Sequence, residues 1–190
     1  MFALRNLPNF LSVLRILLVP PVIYYMLQEN YMPAMVLFVI AGITDSLDGW
    51  LAKHFNWQSH LGEILDPLAD KLLLVSSYIC FAWLELLPLW LVISVMLRDI
   101  IIVTGGVLYR IFFGKVVINP TYISKFNTLM QIVLIATMLF SLSILSIDEM
   151  IIDLLVWTVY FTTIASGLVY VYLWGQRAIQ ATQSNNKNSE

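Results

Sequence analysis

Charge is what this chain has least of. Only 12% of its 190 residues are Asp, Glu, Lys or Arg, roughly half the share of an ordinary soluble domain. That scarcity excludes a well-solvated globular surface. A net charge of −2 leaves no cationic face, so no nucleic-acid partner is expected. Cysteine is nearly absent: Cys80 stands alone in an apolar run, which rules out a disulfide framework. The only two histidines, His54 and His60, are isolated and read as headgroup-facing. No internal repeat is found. No cleavable signal is expected either, because Asn6, Pro8, Asn9 and Arg15 interrupt the first apolar run and no small-residue cleavage pattern follows. The N-terminus also lacks the Arg- and Ser-rich composition of a transit peptide, which favours a bacterial plasma membrane over an organelle.

What is present is hydrophobic. Apolar residues make up 60% of the chain and mean hydropathy is +0.84, the composition of an integral membrane protein. Six runs approach the ~20 residues that a helix needs to cross a bilayer. They lie near Leu7–Leu27, Pro33–Leu51, Leu61–Leu84, Leu87–Tyr109, Ile123–Leu145 and Ile151–Trp174. The expected fold is an all-α membrane protein, a six-transmembrane-helix bundle with a short N-terminal interfacial segment at residues 1–6. One membrane domain over residues 1–182 and a polar C-terminal tail over 183–190 complete it.

The connections alternate in charge. Arg5 precedes the first run; Lys53 lies in the second connection and Arg110, Lys115 and Lys125 in or beside the fourth; Arg177 and Lys187 follow the last run. The intervening connections carry Glu29, Glu85, and Asp148 with Glu149, and no Lys or Arg. The positive-inside bias then puts both termini in the cytoplasm.

Against this background the stretch from Asp45 to Asp70 stands out. It holds Asp45, Asp48, Asp66 and Asp70, a third of the twelve acidic residues, within or beside two apolar runs. A carboxylate at membrane depth is costly and marks a site by default. Residues three or four apart share a helix face, so Asp45 and Asp48 form one acidic face and Asp66 and Asp70 another. A short link makes the two runs an antiparallel pair, with all four carboxylates just inside the cytoplasmic face. Left alone the pairs would repel. A hard divalent cation resolves this, because Mg²⁺ prefers oxygen ligands and keeps positions open for substrate phosphates. Gly49, Ala52 and Gly62 leave room for a polar group, and Lys53 is placed to meet a phosphate. Asp66 before Pro67 also reads as a helix N-cap. That reading does not account for four aspartates at face-sharing spacing. A cation-coupled transporter would spread its charges across the membrane depth rather than collect them at one face.

The pattern Asp45-x2-Asp48-Gly49-x2-Ala52-Lys53-x8-Gly62-x3-Asp66-x3-Asp70 resembles the signature of the CDP-alcohol phosphatidyltransferases, with Lys53 where the family usually has Arg. Lys keeps the charge and loses the bidentate fork. The resemblance implies a homodimer with a cytoplasm-facing cavity. It implies two divalent ions, Mg²⁺ or Mn²⁺, on Asp45, Asp48, Asp66 and Asp70, with Asp70 as the base and CMP as leaving group. Donor phosphate contacts then fall to Asn9, Ser12, Gly49, Ala52, Lys53 and Gly62.

Later stretches narrow the likeness. Pro8-Asn9-x2-Ser12-x2-Arg15 resembles the opening of phosphatidylglycerophosphate and cardiolipin synthases alike, while Leu97-Arg98-Asp99, Ser124-Lys125-x-Asn127 and Phe161 to Gly167 resemble the CMP-forming cardiolipin synthases within that family. This implies CDP-diacylglycerol as donor and phosphatidylglycerol as acceptor, with Arg15, Arg98, Lys125 and Asn127 on the acceptor. The phosphatidylglycerophosphate synthases, which use glycerol 3-phosphate, are the close alternative; they carry a second basic residue where this chain has Asn127.

Overall fold

A computed structural model describes the backbone at residues 7–55, 62–113 and 121–187, and side chains at 10–48, 54–55, 68–107 and 121–176. The expected interfacial segment, residues 1–6, lies outside the described residues. Among the described residues all regular structure is helical: α1 Leu7–Leu27, α2 Tyr31–His54, α3 Gly62–Trp83, α4 Leu89–Phe113, α5 Tyr122–Ser143 and α6 Glu149–Lys187. Six helices therefore stand where six apolar runs were read. Five of them, α1, α2, α4, α5 and α6, are long and apolar enough to cross a membrane. The 22 residues of α3 would span ~33 Å at 1.5 Å per residue. Its first ten residues, however, carry Glu63, Asp66, Asp70 and Lys71. The helix α6 continues through Lys187, so the backbone is helical into the expected polar tail.

The helix ends follow local chemistry. α1 closes with Glu29 in the left-handed region (φ 56°), while Asn30 N–H donates to the Tyr25 carbonyl and Glu29 N–H to Met26. α3 closes the same way, with Glu85 at φ 58°, Leu86 N–H on Phe81 and Glu85 N–H on Ala82. Both are Schellman closures built with Glu where Gly is usual. Asp148 caps α6, its carboxylate accepting from the Met150 N–H at 2.9 Å; Thr121 caps α5, its hydroxyl accepting from the Ser124 N–H at 3.3 Å.

Contacts divide the chain into two units, residues 1–88 with 132–152 and residues 89–131 with 153–190. In the first, α1 packs on α2 and α3. The inward face of α2 reads Ala34, Phe38, Ala41, Thr44, Asp48, all buried and spaced three or four apart. On α1 the buried face runs Ser12, Arg15, Val22, Met26, and on α3 it includes Ala69, Leu73, Ser77 and Phe81. On α1 and α2 this face is apolar toward one end and turns polar toward the other. The outward faces are apolar. Ile93, Leu97, Ile100, Val103 and Val107 on α4, and Leu154, Trp157, Phe161, Ile164 and Leu168 on α6, are all exposed at helical spacing. Such stripes would be an aggregation hazard in water. They are the expected lipid-facing surface of an integral membrane protein, whose backbone polar groups are satisfied within its own helices.

In the second unit α4 and α6 approach closely at one glycine. A Cβ on Gly105 would lie 2.9 Å from Trp174 Nε1 and 3.0 Å from its Cδ1. Trp174, which ends the last apolar run, is thus a packing partner of α4. Overpacking of this kind costs about 1–3 kcal/mol. Gly105→Ala is expected to lower the thermal unfolding temperature of the detergent-solubilised protein. Gly42→Ala, where nothing lies within 4 Å of the added carbon, should leave it unchanged or raise it. Equal responses from the two variants would contradict this packing.

Candidate active site

The polar ends of α1, α2 and α3 coincide. Arg15 lies eight residues after the start of α1, Asp70 eight after the start of α3, and Asp48 and Asp45 six and nine before the end of α2. At 1.5 Å per residue these are comparable depths, roughly 9–14 Å from the helix ends. The side chains meet there. Arg15 Nη1 lies 2.7 Å from Asp45 Oδ1 and also bonds Asp70 Oδ1, and Nη2 bonds Asp48 Oδ2. One guanidinium from α1 thus holds carboxylates from α2 and α3.

Burial within the cluster is uneven. Arg15 and Asp48 are 1% and 2% exposed, whereas Asp45 and Asp70 keep 46% and 44% of their side-chain surface open. Asp48 and Arg15 form the dry floor, and Asp45 and Asp70 form the accessible rim. Two carboxylate oxygens converging on the single nitrogen Nη1 leave a site strongly biased toward cations. Ser12, one turn before Arg15, and Thr44, one turn before Asp48, are buried on the same helix faces; the Thr44 hydroxyl donates to the Ala41 carbonyl at 2.7 Å.

Asp45, Asp48 and Asp70 are therefore brought together as their spacing predicts. The backbones at Asn9, Gly49, Ala52, Lys53, Gly62 and Asp66 are helical, but these side chains lie outside the described residues. Arg15, read from the sequence as acceptor-binding, is among the motif carboxylates. Among the described residues no three acidic, histidine or cysteine side chains stand in a metal-ligand arrangement; the carboxylates are drawn onto Arg15. Their chemistry still fits a hard divalent ion, since the donors are all carboxylate oxygens from two helices gathered around one positive charge.

A second polar group is buried in the other unit. Arg98 on α4 donates from Nη1 to Asp99 Oδ1 at 2.7 Å and from Nε and Nη2 to Ser166 Oγ on α6 at 3.2 and 2.9 Å. Its Nη2 also bonds the Ser124 hydroxyl on α5. Asn127 is fully buried, and its Oδ1 accepts from the Thr162 and Thr163 hydroxyls at 2.8 and 2.9 Å. Of the four residues read as acceptor-binding, Arg98 and Asn127 thus belong to a buried α4–α5–α6 network. Lys125 is exposed, its ammonium 5.9 Å from the Tyr122 ring centroid. Thr162, Thr163 and Ser166 were not singled out from the sequence. The signal available was their three- and four-residue spacing within an apolar run, together with the rule that an intramembrane Arg must find partners.

Two acidic faces at this spacing, on neighbouring helices of a membrane protein, define a class. The chain belongs to the CDP-alcohol phosphatidyltransferase family, whose model matches residues 5–169. Among individual proteins it is 34% identical to the rat cardiolipin synthase (CMP-forming) and 33% identical to the human one, each alignment covering 92% of this chain. The chain spans 63% of the length of those two relatives. It is also 33% identical to the CDP-diacylglycerol–glycerol-3-phosphate 3-phosphatidyltransferase of Bacillus subtilis, over 87% of this chain and 93% of that protein.

Because Asp48 is buried and Asp45 half open, their loss should differ. Leaving Arg15 with one buried partner fewer costs about 3–5 kcal/mol, whereas losing a half-exposed partner costs about 1 kcal/mol or less. In chelator, Asp48→Ala is expected to lower stability far more than Asp45→Ala, as read by thermal unfolding. The reverse order would overturn the assignment of floor and rim.

Proposed function

We propose that this protein is a CMP-forming cardiolipin synthase, transferring the phosphatidyl group of CDP-diacylglycerol to phosphatidylglycerol. The observation that carries the transferase reading is the meeting of Asp45, Asp48 and Asp70 at one depth, in residues that match the family signature. Phosphoryl transfer requires mainly positioning and charge neutralisation, and this cluster is built for both. Divalent ions bound by Asp45, Asp48, Asp66 and Asp70 would supply neutralisation of the donor pyrophosphate.

The chain's own residues do the rest. Asn9, Ser12, Lys53 and the small residues Gly49, Ala52 and Gly62 receive the CDP portion of the donor. Asp70, on the open rim, takes the proton of the acceptor hydroxyl. That oxygen forms a bond to the phosphorus bearing diacylglycerol, the bond from this phosphorus to the bridging oxygen breaks, and CMP leaves with that oxygen. Lys125, exposed on α5, serves the acceptor, and Arg98 and Asn127 hold together the α4–α5–α6 network around it. Asn127 supports the lipid acceptor over glycerol 3-phosphate, because a small dianion rewards an additional cation and this position supplies a neutral amide held by two threonine hydroxyls. The likeness to the rat and human enzymes agrees with this choice. The Bacillus relative, matched over nearly its whole length, favours glycerol 3-phosphate, so the acceptor is the point to test.

The cation-bearing connections and both termini are assigned to the cytoplasmic side, and a homodimer is part of the same reading. Relatives from animals as well as bacteria remove the ground for preferring a bacterial plasma membrane.

Purified protein given CDP-diacylglycerol and phosphatidylglycerol is expected to release CMP and form cardiolipin, detected by mass spectrometry. Glycerol 3-phosphate in place of phosphatidylglycerol is expected to be a poor acceptor. Phosphatidylglycerophosphate as the dominant product would reverse the assignment. Asp70→Asn is expected to cut turnover by about 10²-fold or more, the usual scale of a lost general base. Turnover within a few-fold of the parent would remove Asp70 from that role.

A further inference from the structure

The molecule buries two arginines, and they are held differently. Every nitrogen of the Arg98 guanidinium has a partner: Nε on Ser166, Nη1 on Asp99, Nη2 on Ser124 and Ser166. It is a satisfied structural group. Arg15 is 1% exposed, yet its partners among the described residues are carboxylates, and its Nε is buried with no hydrogen bond. A buried N–H left unpaired is unfavourable, and a residue with a purely structural role would be expected to satisfy it. What holds Arg15 in place is the charge of Asp45, Asp48 and Asp70.

We propose that Arg15 is the resident counter-ion of the metal-free cluster, and that a divalent cation loads the site by competing with it for the same oxygens. This inference rests on the metal-binding reading of the aspartates given above. Asp45 Oδ1 and Asp70 Oδ1, from two different helices, both contact Arg15 Nη1. A cation bound between them must therefore displace Nη1 or sit within a few ångströms of a like charge. The three carboxylates and one guanidinium leave two formal negative charges, so Arg15 lowers the cluster's self-repulsion without cancelling it. The cluster then has two occupied states, one holding the guanidinium and one holding the metal. The affinity measured for the metal is its intrinsic affinity reduced by the population of the first state. Arg15 thereby keeps the three carboxylates from being left without a counter-charge when no metal is present, and it sets the cation concentration at which the site fills.

Competition and structural support predict opposite signs. A structural arginine, when removed, would slacken the cluster and weaken metal binding. A competing counter-ion, when removed, strengthens it. The full chain in lipid nanodiscs is titrated with Mn²⁺, following the free ion by its electron paramagnetic resonance signal. Thermal unfolding is measured in parallel in chelator and in saturating Mn²⁺. Arg15→Gln is expected to bind Mn²⁺ about tenfold more tightly or better, to unfold at lower temperature in chelator, and to gain more than the parent when Mn²⁺ is added. Arg15→Lys keeps the charge without the fork that spans three carboxylates; its Mn²⁺ affinity should lie between the two, and it carries the same test if Arg15→Gln does not fold. Affinity equal to or weaker than the parent's in the variants overturns the proposal while leaving the metal reading intact. Binding by Arg15→Gln with none by the parent supports it in its strongest form. Absence of Mn²⁺ binding to parent and variants alike would bring down the metal-binding reading and this inference with it.

Discussion

Neutralising charge inside an apolar bundle is the constraint on which the first unit depends. Asp48 is buried, Asp45 and Asp70 half so, on helices whose other inward residues are Ala, Phe, Leu and Thr. Three carboxylates at membrane depth are tolerable only with a cation among them. Arg15 supplies it from a third helix, and in doing so ties α1 to both α2 and α3 at their polar ends. The apolar halves of the same faces, with Val22, Met26, Phe38, Leu73 and Phe81 buried, hold the three helices in the register that lets the charges meet. Packing and electrostatics thus act at opposite ends of one helix trio. The end bound by charge is the one where Asp45 and Asp70 stay half open.

The two buried arginines show how the same residue type takes on different work through its partners. Hydroxyl groups from Ser124 and Ser166, with Asp99 beside it, surround Arg98 so that its nitrogens are satisfied within the protein. Such a network gains little from rearranging. Among the described residues Arg15 is bonded by carboxylates, and its Nε is unpaired. The first arrangement suits a scaffold; the second suits a site whose charge balance changes as ligand arrives.

Much of this was legible in the chain. The apolar run Leu7–Leu27 coincides with α1, and the other five runs locate the remaining helices to within a few residues at most of their ends. The later end of α6 was missed, because its last turns are polar and only backbone hydrogen bonding continues them. The acidic motif was recognisable because helical periodicity places Asp45 and Asp48 on one face whatever the rest of the protein does. Thr162, Thr163 and Ser166 lay in a stretch noted for its likeness, but their role as partners of Asn127 and Arg98 was not legible, because hydroxyls in apolar helices commonly bond their own backbone, as Thr158 does to Leu154. Lys125 follows Ser124 directly, yet one is exposed and the other buried, a 100° turn of the helix apart.

The sequence by itself determined the membrane class, the placement of the described helices, the acidic faces and the family. These depend on local periodicity and composition, which a helix enforces on its own. Tertiary structure decided that Arg15 closes on Asp45, Asp48 and Asp70, and that Asn127 is held by Thr162 and Thr163. Those pairings join residues between 30 and 55 positions apart in the first case and 35 or 36 in the second. Periodicity says which side chains share a face, but not which faces meet. That is settled by how apolar surfaces interlock and by the demand that every charge inside them find its opposite.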